Sequence, residues 1–207
     1  MKQIVTNLAL FIVLAIVFSS LGGCKETPAG NANANAANAP ANTTAQTGDS
    51  KPNTAYPPLQ SGIADGDIEL VDGTITKASQ HKGKVLILNL WGIWCGPCRD
   101  EMPHLAQLQT TYGERGLEVF GLNIGDSNGA PEDLGKIKAF TDGMKLNYTI
   151  GRIKEGTTAQ FYLLSRQQAV PQTVLVDRDG RVRSVFVGGG ASVVGKLTKA
   201  VDDLMNE

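Results

Sequence analysis

Cys95 and Cys98, three residues apart, are the side chains of this 207-residue chain best suited to covalent chemistry. A cysteine reacts as its thiolate, and a thiolate can open a disulfide through a mixed-disulfide intermediate. The pair lies in Trp94-Cys95-Gly96-Pro97-Cys98. The apolar run Val85-Leu86-Ile87-Leu88-Asn89-Leu90 precedes it, and Met102, Leu105, Ala106, Leu108 and Tyr112 follow at helical spacing. Strand, turn and helix in that order place both sulfurs in a helical first turn, within bonding reach. Unpaired backbone N–H groups of that turn stabilise a thiolate and lower the pKa of the leading cysteine. Cys95, first and more exposed, is the candidate nucleophile, and Cys98, about one turn further in, is the candidate resolving thiol.

Other chemistries have less to work with. A structural zinc site needs about four ligands, and the chain offers only Cys24, His81 and His104 beyond the pair. A c-type haem site needs His after the second cysteine, where Arg99 stands. A static structural disulfide stays open, although Gly96-Pro97 suits a switching pair better than a staple. Glu101 follows Cys98 by three residues, on a neighbouring helix face. If buried, its carboxyl has a raised pKa and can pass protons to or from the thiols. If solvated, it is an ordinary first-turn acid favoured by the helix dipole.

The elements that position these residues read as follows. Residues 84–90 form a buried strand, and the motif helix runs from about Pro97 to Tyr112, with a kink expected at Pro103, which removes one backbone hydrogen bond. Upstream, 68–71 and 74–76 flank an Asp72-Gly73 turn as a small hairpin. His81 reads as a solvated loop residue. Downstream come a buried strand over 117–124, a helix starting at Pro131-Glu132-Asp133, a short strand at 148–150 and a short helix over 157–164. The end is a hairpin of 172–176 and 181–187, the Gly188-Gly189-Gly190 stop, and a helix from 191 to about 205. Strands alternating with helices, then a closing hairpin and helix, describe an α/β fold around a central mixed β-sheet.

The N-terminus carries a different kind of information. Met1-Lys2-Gln3 and the eleven-residue apolar run Leu8–Phe18 have the layout of a secretory signal peptide. A spanning helix needs about twenty apolar residues, so a retained anchor, extended by Ile4 and Val5, is the alternative. Leu21-Gly22-Gly23-Cys24 resembles the bacterial lipoprotein signal, which would make residues 1–23 a cleaved leader and Cys24 an acylated first residue. Several acyl chains hold a protein firmly where one does so only marginally. From Lys25 to Tyr56 the chain turns to Asn, Ala, Thr, Gly and Pro without apolar period. Such a composition cannot repay its ordering entropy, so 24–56 is expected to be a tether with a coil span of roughly 30 Å, leaving 57–207 as the folded domain. With 19 basic and 20 acidic residues and no charge run, the chain offers nucleic acid no footprint.

These residues together resemble the thioredoxin superfamily, and within it the membrane-tethered thiol–disulfide oxidoreductases of the TlpA/ResA type. The resemblance covers about 66–205. It rests on Asn89-Leu90-Trp91, Trp94-Cys95-Gly96-Pro97-Cys98, Arg99-Asp100-Glu101-Met102-Pro103 and Val170-Pro171-Gln172-Thr173 with Val176-Asp177 and Gly180. Residues 125–164 match the strand and helix this group inserts into the basic thioredoxin order. The resemblance implies a thioredoxin-like fold and a redox-active disulfide that needs no metal or organic cofactor. It makes Pro171 a cis-proline facing the pair, where the alternative is an ordinary strand-initiating proline. It makes Val170 a backbone partner for bound peptide, with Trp94, Gly96 and Pro97 beside it on the substrate side. It also implies that Glu101 is partly buried and acts on cysteine ionisation.

Two departures matter. Asn89 stands where ordinary thioredoxins carry a buried Asp, which shifts proton transfer to Glu101 or water. Gly-Pro between the cysteines is the dipeptide of thioredoxin itself and favours a reductant. Implied substrates are protein disulfides or apocytochrome c thiols, with a membrane thiol carrier as electron donor and a location on the outer side of a bacterial membrane. A disulfide-donating oxidase and a non-catalytic binding module of the same fold are the rivals. A peroxiredoxin would carry Pro-x-x-x-Thr-x-x-Cys, whereas Leu88 and Gly92 hold those places.

Overall fold

The computed structural model describes residues 55–207. The expected leader, the lipid-bearing Cys24 and nearly all of the tether lie outside the described residues. In chain order the elements are α1 (Ser61–Ala64), β1 (Ile68–Leu70), β2 (Ile75–Thr76), β3 (Val85–Trp91), α2 (Gly96–Tyr112) and β4 (Leu117–Asn123). After these come α3 (Leu134–Gly143), β5 (Thr149–Ile153), α4 (Glu155–Ser165), β6 (Gln172–Val176), β7 (Val182–Val187) and α5 (Ala191–Met205). Single 3₁₀ turns occupy Ala78–Gln80 and Gly113–Arg115.

Among the described residues the strands form one mixed sheet in the order β2-β1-β5-β4-β3-β6-β7. The central strands β3, β4 and β5 are parallel neighbours, and β6 and β7 close the sheet antiparallel. Every residue of β3 is buried, because alternate side chains point to opposite faces and both faces are covered. Val85, Ile87 and Trp91 face Met102, Leu105 and Leu108 of α2, Ile137 of α3 and Leu197, Val201 and Leu204 of α5. Leu86, Leu88 and Leu90 face Ile63 of α1 and Phe161 of α4. Each such large side chain taken fully out of water contributes roughly 1.5–3 kcal/mol. The layers are helix, sheet, helix, as expected, and α2 continues through Pro103 as one helix.

The structure corrects several details. Pro131 and Glu132 precede α3 rather than open it; Asp133 is the N-cap, its carboxylate accepting from Lys136 N–H. Tyr56, assigned to the tether, is part of the folded domain. Its carbonyl accepts from the Arg181 guanidinium at 2.7 Å, and the Arg183 guanidinium lies 4.3 Å from its ring centroid. His81 is not merely solvated: Nδ1 meets a carboxylate oxygen of Glu118, and its ring lies edge-on to Phe120 with centroids 4.9 Å apart. No helix among the described residues is long and apolar enough to cross a membrane.

The two ends of the sheet carry different parts of the chain. The chain enters at Pro57–Leu59, which pairs with Gly180–Val182 at the end where β6 finishes and β7 begins. The cysteine motif lies at the other end, where β3 finishes, β6 begins and β7 finishes.

Candidate active site

Cys95 is the N-cap of α2, and Pro97 occupies the first turn, where a missing N–H costs nothing. Cys95 and Cys98 are joined in a disulfide. The Cys98 N–H donates to Cys95 Sγ at 3.2 Å, which directs an amide and the positive end of the helix at the leading sulfur. Both cysteines are buried, at 4% and 1% exposure. The small difference has the expected sign, but it is the amide and the helix terminus that single out Cys95. Among the described residues no three His, Cys, Asp or Glu side chains converge to hold a metal ion.

Pro171 is buried and joined to Val170 by a cis peptide bond. Its carbonyl accepts from Gly188 N–H at 2.9 Å. A Cβ built on Gly189 would stand 3.0 Å from Pro97 Cβ and 3.6 Å from Pro171 Cγ. The Gly188–Gly190 segment is therefore the third wall of the redox site, packed against both prolines. Sequence reasoning took this triplet only as the end of the sheet; three successive glycines were the available signal for a close approach.

Glu101 is the buried acid of the site, 2% exposed. Asn89 Nδ2 donates to its Oε2 at 3.3 Å and to Thr173 Oγ1 at 2.9 Å, and Thr173 Oγ1 donates to Glu101 Oε1 at 3.4 Å. Asn89 and Thr173 are register partners on β3 and β6, so the sheet itself holds this trio. Burial pushes the Glu101 carboxyl up to about 7, against the lowering effect of the bonds from Thr173 and Asn89. A carboxyl there exchanges its proton near neutrality. In the sequence Thr173 stands out only as part of Val170-Pro171-Gln172-Thr173; its contact with Glu101 spans 72 residues and has no local signal.

Trp94 is the exposed aromatic of the site, at 46%. Its indole N–H donates to the Gly125 carbonyl at 3.0 Å and folds back over Gly92, where an added Cβ would meet Nε1 at 2.6 Å. Trp94 also borders an open groove of about 650 Å³ lined in part by Ile75, Ile124, Ile153 and Tyr162. Trp91, by contrast, is fully buried and stacked on Phe140, centroids 5.6 Å apart. The structure thus brings Trp94, Cys95, Gly96, Pro97, Cys98 and Pro171 to one end of the sheet, with Glu101 on the following turn of α2.

Residues 61–185 match the AhpC/TSA family. The chain is 30% identical over 139 residues to the thioredoxin-like protein YneN of Bacillus subtilis (strain 168), covering 64% of this chain and 77% of that protein. It is 27% identical over 118 residues to the thiol-disulfide oxidoreductase ResA of Geobacillus thermodenitrificans (strain NG80-2), covering 57% of this chain and 63% of ResA, less than two thirds of that relative. Its fold is similar to that of a thiol:disulfide interchange protein of the thioredoxin family from Chlorobium tepidum TLS, with a TM-score of 0.58 and 23% identity over 72% of this chain and 95% of that one.

Proposed function

The chain belongs to the AhpC/TSA family of thioredoxin-like proteins and is a thiol–disulfide oxidoreductase; from that premise we propose that it chiefly reduces protein disulfides outside the cytoplasm, held to a membrane through Cys24. In the reduced protein the Cys95 thiolate attacks one sulfur of a substrate disulfide. A mixed disulfide forms, and the first substrate sulfur leaves as a thiolate that takes up a proton. Cys98 then loses its proton and attacks Cys95 Sγ, so the second substrate sulfur leaves. The substrate has gained two electrons and the protein holds the Cys95–Cys98 disulfide. Glu101, poised near neutrality, is the proton carrier for Cys98, in the role an aspartate at position 89 would otherwise fill. Substrate backbone pairs with Val170 beside Pro171 in extended form, and Trp94, Gly96 and Pro97 border the attacked sulfur.

The observation that carries the attack by Cys95 is the Cys98 N–H on Cys95 Sγ at the start of α2. The route of the chain supports the tethered form. Tyr56 docks at the end of the sheet opposite the cysteines, so β6, about 17 Å of strand, separates the root of the tether from the thiols. Re-reduction outside the cytoplasm calls for a membrane thiol carrier, and the disulfide-bonded cysteines of apocytochrome c or other envelope disulfides are the proposed substrates. A peroxidase reading finds no support at the residues it needs. Leu88 faces the opposite layer, and a side chain at 92 would displace the Trp94 indole.

The test is turnover of a model protein disulfide, with insulin and a thiol reductant. The wild type is expected to turn over, Cys95→Ser to be inactive, and Cys98→Ser to accumulate the mixed disulfide. Full activity in Cys95→Ser would end the mechanism, and no turnover by the wild type would favour a binding module.

A further inference from the structure

Three large apolar side chains are exposed among the described residues, Ile75, Trp94 and Leu163, and Ile75 and Trp94 line one groove of about 650 Å³. A single exposed apolar residue needs no explanation, but several gathered in one concavity with a polar rim mark a binding surface. The groove follows the cysteine end of the sheet strand by strand. Trp94 follows β3, Ile124 follows β4, Ile153 closes β5, Asp67 precedes β1 and Ile75 opens β2. These strands are successive neighbours in the sheet, so the groove crosses about four strand spacings, roughly 19 Å, the length of about six residues of extended chain. Its wall beside the thiols is fixed. Asn123 Oδ1 accepts from Gly125 N–H at 2.8 Å, and the Gly125 carbonyl accepts from the Trp94 indole at 3.0 Å. Because Trp94 adjoins Cys95 in the chain, the groove begins next to the attacking residue.

The charges along the groove do not cancel. Asp67, Glu69, Asp126 and Glu155 stand against Arg152 and Lys154. Both cations are engaged: Arg152 Nε meets Glu69 Oε2 at 2.8 Å, and Lys154 Nζ lies 3.7 Å from Asp67 Oδ2. Asp126 and Glu155 are left without a cation among the lining residues, and the only hydrogen bonds on the Asp126 carboxylate come from Asn128 and Ala130 N–H. Two negative charges in excess along an apolar floor complement a segment that brings cations. We propose that this groove docks the substrate's own chain: an extended segment of about six residues beside the attacked disulfide, carrying an apolar side chain and a Lys or Arg. Continuity with the thiol site gives the groove to the molecule whose disulfide is attacked. The apolar side chain packs on Ile124, Ile153 and Tyr162, and the cation meets Asp126 or Glu155. Disulfides with a basic, apolar flank are thereby favoured. This rests on the reading of the chain as a reductant of protein disulfides.

The test is the second-order rate at which synthetic peptides, each closed by one disulfide, oxidise the reduced full chain. Two peptides of equal length are compared, one with Leu-Lys and one with Ser-Glu on both flanks of the disulfide. The wild type is expected to react about tenfold faster with the Leu-Lys peptide, the combined effect of one apolar side chain leaving water and one exposed ion pair. That ratio is expected to fall to about threefold or less in Ile75→Ser and in Glu155→Lys. Both positions are exposed, so neither change empties the core. A ratio of one in the wild type overturns the docking site, and so does a ratio that neither variant lowers. A full chain that sediments as a dimer and is separated by Ile75→Ser gives the groove to a second copy and also overturns it. A reduced protein that reacts with neither peptide removes the reductant reading and the groove with it, whereas equal reaction with both removes the groove alone.

Discussion

Replacing Glu101 by Gln should change the pH dependence of folding in a direction that the site dictates. The carboxyl is pushed from an ordinary value near 4.5 up to about 7, while in the unfolded chain it returns to the ordinary value. Between these two values the native state holds more protons than the unfolded state, so stability falls as pH rises. Below about 4.5 both states are protonated and the group costs nothing. Above about 7 both are ionised and the loss is complete. At 1.36 kcal/mol for each unit of displacement, burial of the charged carboxylate costs about 3 kcal/mol above pH 7. Gln cannot ionise, and its amide can still accept from Asn89. The assay is urea unfolding of the oxidised wild type and Glu101→Gln at pH 5 and pH 8. The variant should gain on the wild type by up to about 3 kcal/mol on going from pH 5 to pH 8. A difference between the two proteins that is the same at both pH values would refute a buried, raised carboxyl at 101.

Other perturbations read the walls of the site. Gly189→Ala places a methyl 3.0 Å from Pro97 Cβ; the overpacking should cost about 1–3 kcal/mol and slow insulin reduction, with unchanged rates contradicting the contact. Gly92→Ala must displace the Trp94 indole and break its bond to Gly125, a loss of about 1 kcal/mol. Faster solvent exchange of the Trp94 indole N–H by NMR would report it. Asn89→Asp sets a second carboxyl against Glu101 at hydrogen-bond distance. Two such groups retain a shared proton, so urea unfolding should show this variant losing more stability than the wild type from pH 5 to pH 8. Equal losses would mean that the two side chains do not meet.

Local patterns carried much of the architecture. The run 85–90 is apolar on both faces and is β3. The spacing of Val193, Val194, Leu197, Val201 and Leu204 gave α5 within its observed bounds, Ala191–Met205. The cysteine motif read from helix physics alone is a disulfide at a helix N-terminus. What stayed hidden is either too short or too distant. Helix α1 is a single turn, Ser61–Ala64, and one turn leaves no period to detect. His81 meets Glu118 across 37 residues and Asn89 meets Thr173 across 84; only the sheet register creates those pairs. The start of α3 was misplaced because Pro131 and Asp133 are both start signals, and the capping bond from Lys136 N–H selects Asp133. Gly189 was visible as a glycine, but its partners Pro97 and Pro171 come together only in the folded sheet.

The central claim, a reductant built on Cys95 and Cys98, is tested most directly by the reduction potential of that couple in the full chain, equilibrated against thiol buffers of known potential. The account predicts a value near that of thioredoxin, about −270 mV. A value near that of DsbA, about −120 mV, would contradict it and make the protein a donor of disulfides.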